Sequence, residues 1–105
     1  MFTPEPTAAP ENVTGHNSSS TSILVKWDDV PAADQNGIIL TYTIIYKSLT
    51  ENDNGNVTVN YPDQQANLTG LREYVNYSII VFASTVKGRG PESSPIFAIT
   101  DQDSK

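Results

Sequence analysis

Ten consecutive residues, Tyr77 to Val86, alternate in a way that only an extended strand can exploit. Tyr77, Ile79, Val81 and Ala83 fall on one side, and Ser78, Ile80, Phe82 and Ser84 on the other, because successive side chains of a strand point to opposite faces. The same period of two runs through Ser22–Asp28, where Ile23, Val25 and Trp27 share a face. It recurs in Leu40–Lys47, with Tyr42, Ile44 and Tyr46 on one face and Thr43, Ile45 and Lys47 on the other. A helix would need apolar residues three and four apart, and no ten-residue stretch shows that spacing. Each strand has one apolar face to bury, and a second sheet is the partner that buries it.

Turn chemistry divides the rest. Pro4, Pro6 and Pro10 fix φ and remove ladder donors, so residues 1–10 read as a linker or lead-in to a first strand over Glu11–His16. Pro31 and Asn36-Gly37 end the second strand. Glu51–Asn56 is a turn cluster leading to a short strand, Val57–Tyr61, and Ala66–Leu71 forms the next. Lys87–Glu92 is a Gly/Pro loop, Ile96–Thr100 the closing strand, and 101–105 a C-terminal linker. Seven short strands in 105 residues predict a single antiparallel sandwich over residues 11–100, without internal repeats.

Composition narrows the function. Twelve acidic against six basic residues give a net charge of −6, which opposes binding to nucleic acid or to an anionic membrane surface. No apolar run approaches the ~18 residues of a membrane span, so the fragment itself is not expected to insert. The polar, Pro-rich start does not resemble a signal sequence, and any secretion or anchoring signal is expected outside this piece of a longer chain. There is no cysteine, hence neither a disulfide framework nor a thiolate metal site. Location is read instead from five Asn-x-Ser/Thr sequons, at Asn12, Asn17, Asn56, Asn67 and Asn76, which point to an extracellular glycoprotein. Asn17 and Asn56 lie in loop-like stretches, and Asn76 is expected to face outward beside buried Tyr77.

Several motifs follow one another in a telling order. Trp27 sits on the second strand and not on the third between two cysteines, which disfavours an antibody-type domain. Tyr42-Thr-Ile-Ile-Tyr46, Leu71-Arg-Glu-Tyr-Val-Asn-Tyr77, and Ala83 followed by Lys87–Ser93 together resemble a fibronectin type III domain across residues 8–100. The resemblance implies an all-β, seven-stranded antiparallel immunoglobulin-like β-sandwich of fibronectin type III topology. It assigns structural roles to Trp27, Tyr46, Leu71 and Tyr77, the last as a corner tyrosine whose hydroxyl bonds upstream backbone. Glu73 and Val75 depart from the family's usual Pro and Thr. Asn36-Gly-Ile-Ile39 is similar to modules of cell-surface receptors and adhesion proteins.

No residues for catalysis are found. His16 is the sole histidine and reads as a surface residue, so a nucleophile would lack its base. Asp28 and Asp29 are adjacent and point to opposite faces. Asp53, Asn54 and Asn56 lack the terminal Glu of a calcium loop and read as turn residues. No Gly-rich segment opens a helix to hold a phosphate, so no cofactor is expected and the chain is not expected to be an enzyme. Lys87 and Arg89, beside Glu92, read as a solvated loop, and Arg89-Gly-Pro91 is not an Arg-Gly-Asp tripeptide. A glycan-binding module would want surface aromatics, whereas these tyrosines alternate inward. The expected function is recognition or adhesion within a larger receptor or matrix-type protein; the alternative is a passive spacer between other modules. The expected interface is the outward face of the third, sixth and last strands, where Ile45, Ile80, Phe82, Phe97 and Ile99 suit a protein partner, a neighbouring module or a second copy.

Overall fold

A computed structural model describes residues 8–31, 38–49, 53–86 and 88–100. Most of the lead-in, the Asn36-Gly37 turn, Glu51, Asn52, Lys87 and the tail at 101–105 lie outside the described residues. The strands are β1 (Glu11–Ser19), β2 (Ser22–Asp28), β3 (Thr41–Ser48), β4 (Asn54–Asn60), β5 (Gln65–Leu68), β6 (Asn76–Thr85), β7 (Gly88–Arg89) and β8 (Ile96–Ile99). They form two antiparallel sheets, one ordered β1-β2-β5, the other β4-β3-β6 with both β7 and β8 paired to β6. The fold is thus the two-sheet, all-β sandwich expected.

The inward residues of both sheets make one core. Ile23, Val25 and Trp27 from β2 meet Tyr42 and Ile44 from β3, together with Tyr77, Ile79, Val81 and Ala83 from β6, and all are buried. Burying each large aliphatic side chain contributes roughly 1.5–3 kcal/mol, which is how a chain without disulfides holds together. Trp27 and Tyr42 pack with ring centroids 5.4 Å apart. Trp27 Nε1 is buried and has no hydrogen-bond partner among the described residues. Gly15 lets β1 approach the other sheet: a Cβ there would stand 3.3 Å from Ile96 Cδ1 and 3.4 Å from Ala98 Cβ.

Several boundaries differ from those read in the sequence, each for a physical reason. The first strand continues past His16 to Ser19, held by pairing with β2 as far as Ser19 opposite Ser22. Asn17 is therefore a strand residue, not a loop residue. A bulge near its start places Asn12 at φ 54°, a left-handed conformation that Asn tolerates. Asn54, Gly55 and Asn56 belong to β4 and not to a turn, because they pair with Lys47, Tyr46 and Ile45. Gly55 is there for space: a Cβ would lie 2.6 Å from the Tyr46 hydroxyl that covers it. β5 is shorter than expected, and Leu71 lies beyond it, buried, with its N–H donated to the Thr21 carbonyl.

The last strand is broken, which yields eight strand segments among the described residues. Pro91 and Pro95 cannot donate to a ladder, so pairing stops after Arg89 and resumes at Ile96. Ser93 bridges the gap by donating its N–H to the Val81 carbonyl and accepting the Val81 N–H on Oγ, both at 2.9 Å. The loop between β5 and β6 is locked at two points. The Tyr77 hydroxyl accepts the Arg72 N–H at 3.0 Å and donates to Asp53 Oδ2 at 2.6 Å. Thr100 Oγ1 accepts the Val75 N–H at 3.0 Å and donates to the Arg72 carbonyl at 2.5 Å.

Candidate functional site

The two outer surfaces of the sandwich differ in chemistry. On the β1-β2-β5 sheet the outward positions include Thr14, His16, Ser18, Lys26, Gln65 and Asn67, all exposed, with half-buried Leu24 among them. Ser18 Oγ donates to Asn67 Oδ1 at 2.9 Å, and Asn12 Nδ2 donates to Asp28 Oδ2 at 2.7 Å. This is the ordinary solvated face of an antiparallel sheet.

The outer face of the second sheet is apolar along its middle. Register places Asn56, Ile45 and Ile80 in one row across β4, β3 and β6. The row on one side reads Thr58, Thr43, Phe82, and that on the other Asn54, Lys47, Ser78, Phe97. Beyond it Asn76 stands opposite Ile99. Phe97 and Ile99 are 61% and 56% exposed, while Ile45 and Ile80 are half-buried by their neighbours. Ala98 between them turns inward against the core, which fixes the register of β8.

Phe82 corrects the sequence expectation. It does alternate outward, yet it is only 7% exposed. The Arg89 guanidinium lies 4.0 Å above its ring, held there by an ion pair to Glu92 at 2.7 Å. β7 is what carries Arg89 across the ring, since Arg89 pairs with Ser84 two residues along β6. Short-range sequence alternation contains no sign of that cover. Phe82 is consequently a packing residue, and Arg89 is committed to it and to Glu92.

Four residues to which the sequence reading gave no such role, two of them the aspartates read as solvating and turn residues, organise the polar interior. Asp29 accepts hydrogen bonds from the Tyr42 and Tyr61 hydroxyls. Burial, followed by the hydrogen bond to Asp29, pushes the Tyr42 phenol well above its ordinary range. The Asp29 charge raises that of Tyr61 as well. Asp53 accepts a hydrogen bond from the Tyr77 hydroxyl, and burial followed by this bond raises the Tyr77 phenol. Ser93 and Thr100 complete the set. The only available signal was that buried tyrosine hydroxyls need partners, which names a requirement and not a residue.

Among the described residues no cluster of three or more His, Cys, Asp or Glu side chains could hold a metal. A cleft of about 220 Å³ opens between β1 and the broken last strand, lined by Pro10, Asn12, Val13, Ser93, Ser94 and Ile96. It gathers no charged or nucleophilic group beyond two serines. Of the sequon residues, Asn12, Asn17, Asn56 and Asn67 are exposed and Asn76 is half-buried.

With fold and faces established, comparison with known proteins gives the family. The Fibronectin type III domain profile matches residues 8–99, and the chain belongs to that family. Protein sidekick-1 of Mus musculus is 43% identical over 100 residues, covering 93% of this chain and 5% of that protein. Receptor-type tyrosine-protein phosphatase F of Bos taurus is 36% identical over 101 residues, again covering 93% of this chain and 5% of the relative. Among solved structures, the third fibronectin III domain of a human protein superposes with a TM-score of 0.88 at 26% identity, covering 97% of this chain and 88% of that one. The chain thus spans about one-twentieth of the length of these curated relatives. Fibronectin type III modules are non-catalytic, and the catalysis in the phosphatase's name belongs to a far larger protein.

Proposed function

We propose that this module is an extracellular protein-recognition or adhesion unit of a larger receptor or matrix-type protein, docking through the outer face of the β4-β3-β6-β8 sheet. The observation that carries this reading is the pair Phe97 and Ile99, both more than half exposed and side by side on the outward face of β8. Antiparallel sheets that meet only water present mainly polar residues on that face, as the opposite sheet does here apart from half-buried Leu24. Large apolar side chains gathered on one face mark a surface that meets protein. The occupant is a protein surface, either a second copy or another module of the parent chain. Relatives roughly twenty times longer, one of them receptor-type by name, support a setting in which modules meet.

The test is sedimentation equilibrium of the purified module, alone and mixed with the flanking modules of its parent chain. The wild type associates, and Phe97→Ser/Ile99→Thr weakens association at least tenfold while leaving the urea midpoint in place. A double variant that associates as well as the wild type overturns the assignment of the face. A wild type that remains monomeric and binds no neighbour leaves the passive spacer as the function.

A further inference from the structure

Asn56 occupies an unusual place for a sequon. It is the third of the seven residues of β4, the outermost strand of its sheet, and register sets it directly opposite Ile45, which is in turn opposite Ile80. All three side chains point outward, because Val57 and Val59 on the alternate positions of β4 pack against the core. Thr58, the hydroxyl residue of the sequon, projects from the same face and lies 3.3 Å from Thr43 Oγ1. Asn12, by contrast, is tied by one amide N–H to Asp28 and sits at a bulge, and Asn76 is half-buried where β6 leaves the corner.

We propose that Asn56 carries an N-linked glycan whose first sugars lie across Ile45 and Ile80. The proposal rests on the extracellular reading above. In the transfer, the Asn56 amide nitrogen bonds to the anomeric carbon of a polyprenyl-diphosphate-linked oligosaccharide. The anomeric C–O bond breaks, the polyprenyl diphosphate leaves with its electron pair, and the amide proton passes to a base. Neighbouring strands are about 4.8 Å apart, so Ile45 and Ile80 lie one and two strand spacings from the attachment point, within reach of a core disaccharide. Each pyranose offers a face of C–H groups to the two isoleucines, which replaces water over apolar surface. Sugar there covers the inner part of the apolar strip and leaves Phe97 and Ile99, on the far edge, as the protein-docking centre. It also blunts β4, whose outer edge pairs with no strand among the described residues.

The experiment is secretory expression of the module, followed by peptide mapping after an amidase that converts glycosylated Asn to Asp, and by NMR on the glycoprotein. The expected result is Asp at position 56, together with contacts from the first two sugars to the Ile45 and Ile80 methyl groups. Asn56→Gln and Thr58→Ala each lose that glycan mass and increase binding of an apolar dye; two variants guard against a folding defect in either. An unmodified Asn56 in material glycosylated at Asn17 or another sequon overturns the proposal and leaves the extracellular reading intact. Secreted material without glycan at any sequon removes the sequon argument for the extracellular reading itself. Occupancy at Asn56 without sugar contacts to Ile45 or Ile80 overturns the covering of the strip.

Discussion

Replacing Tyr77 by Phe isolates one hydroxyl at the corner before β6. The ring stays, packed edge-on to Tyr46 with centroids 6.0 Å apart, so the core loses no volume. Two hydrogen bonds go: one from the Arg72 N–H at 3.0 Å, and one to the Asp53 carboxylate at 2.6 Å. A neutral hydrogen bond contributes about 1 kcal/mol net, and one to a charged group about 1.5–3 kcal/mol. The sum is discounted because both partners are only partly buried and water can take up some of the lost bonding. The expected loss is therefore about 1–3 kcal/mol. With a urea slope of about 1–2 kcal/mol per molar for a small domain, a loss of 2 kcal/mol lowers the midpoint by about 1–2 M. Asp53→Ala should cost less, since the Arg72 bond survives it, and the double variant should cost less than the sum of the two singles. An unchanged midpoint at unchanged slope in Tyr77→Phe would falsify the corner argument.

Two further outcomes are expected. Thr100→Val keeps the shape of a buried side chain but strands the Val75 N–H and the Arg72 carbonyl, so it should cost about 2–3 kcal/mol in thermal or urea unfolding; a neutral result would remove Thr100 from the corner. The phenols of Tyr42 and Tyr77 are raised in the fold by burial first and by their aspartate bonds second, which favours the protonated form. Their stabilisation is therefore complete below the unfolded value of about pH 10 and is lost as pH rises through the folded values. Urea midpoints should hold steady up to about pH 10 and fall above it, with part of that fall missing in Tyr77→Phe. Phenolate absorbance that develops fully while the protein stays equally stable would contradict this.

What the sequence revealed follows from the range of the forces involved. Alternation along a strand is local, so Ile23, Val25 and Trp27 on β2 and Tyr77, Ile79, Val81 and Ala83 on β6 could be assigned to the core from spacing alone. Ser22–Asp28 was legible to the residue because Asp28, Asp29 and Pro31 close it abruptly. Asn54–Asn56 was misread because its composition is that of a turn, while its conformation is set by β3, whose Tyr46 ring requires a glycine opposite. Tertiary pairing overrode local preference there. Phe82 failed for a similar reason: its cover is Arg89, delivered by the two-residue strand Gly88–Arg89. Asp29, Asp53, Ser93 and Thr100 act across sequence separations of 12 to 32 residues, and nothing in their immediate neighbours announces it.

The broken last strand bears on how this surface can engage a partner. A long, regular edge offers a row of unpaired N–H and C=O groups, and association then follows backbone pairing whatever the side chains are. Here that edge consists of β7, two residues long, and β8, four residues long, separated by a segment containing Pro91 and Pro95. In the middle of that segment Ser93 has turned both its N–H and its hydroxyl toward Val81. β8 is flanked by β1, which Gly15 allows to pack against Ile96 and Ala98. Strand addition along this edge is therefore poorly supported by the backbone, and side chains are left to provide selectivity. Those that project from β8 are Phe97 and Ile99, placed by Ala98 turning inward between them. The same prolines that interrupt the ladder thus convert an edge prone to indiscriminate pairing into one that presents two apolar side chains at a fixed spacing.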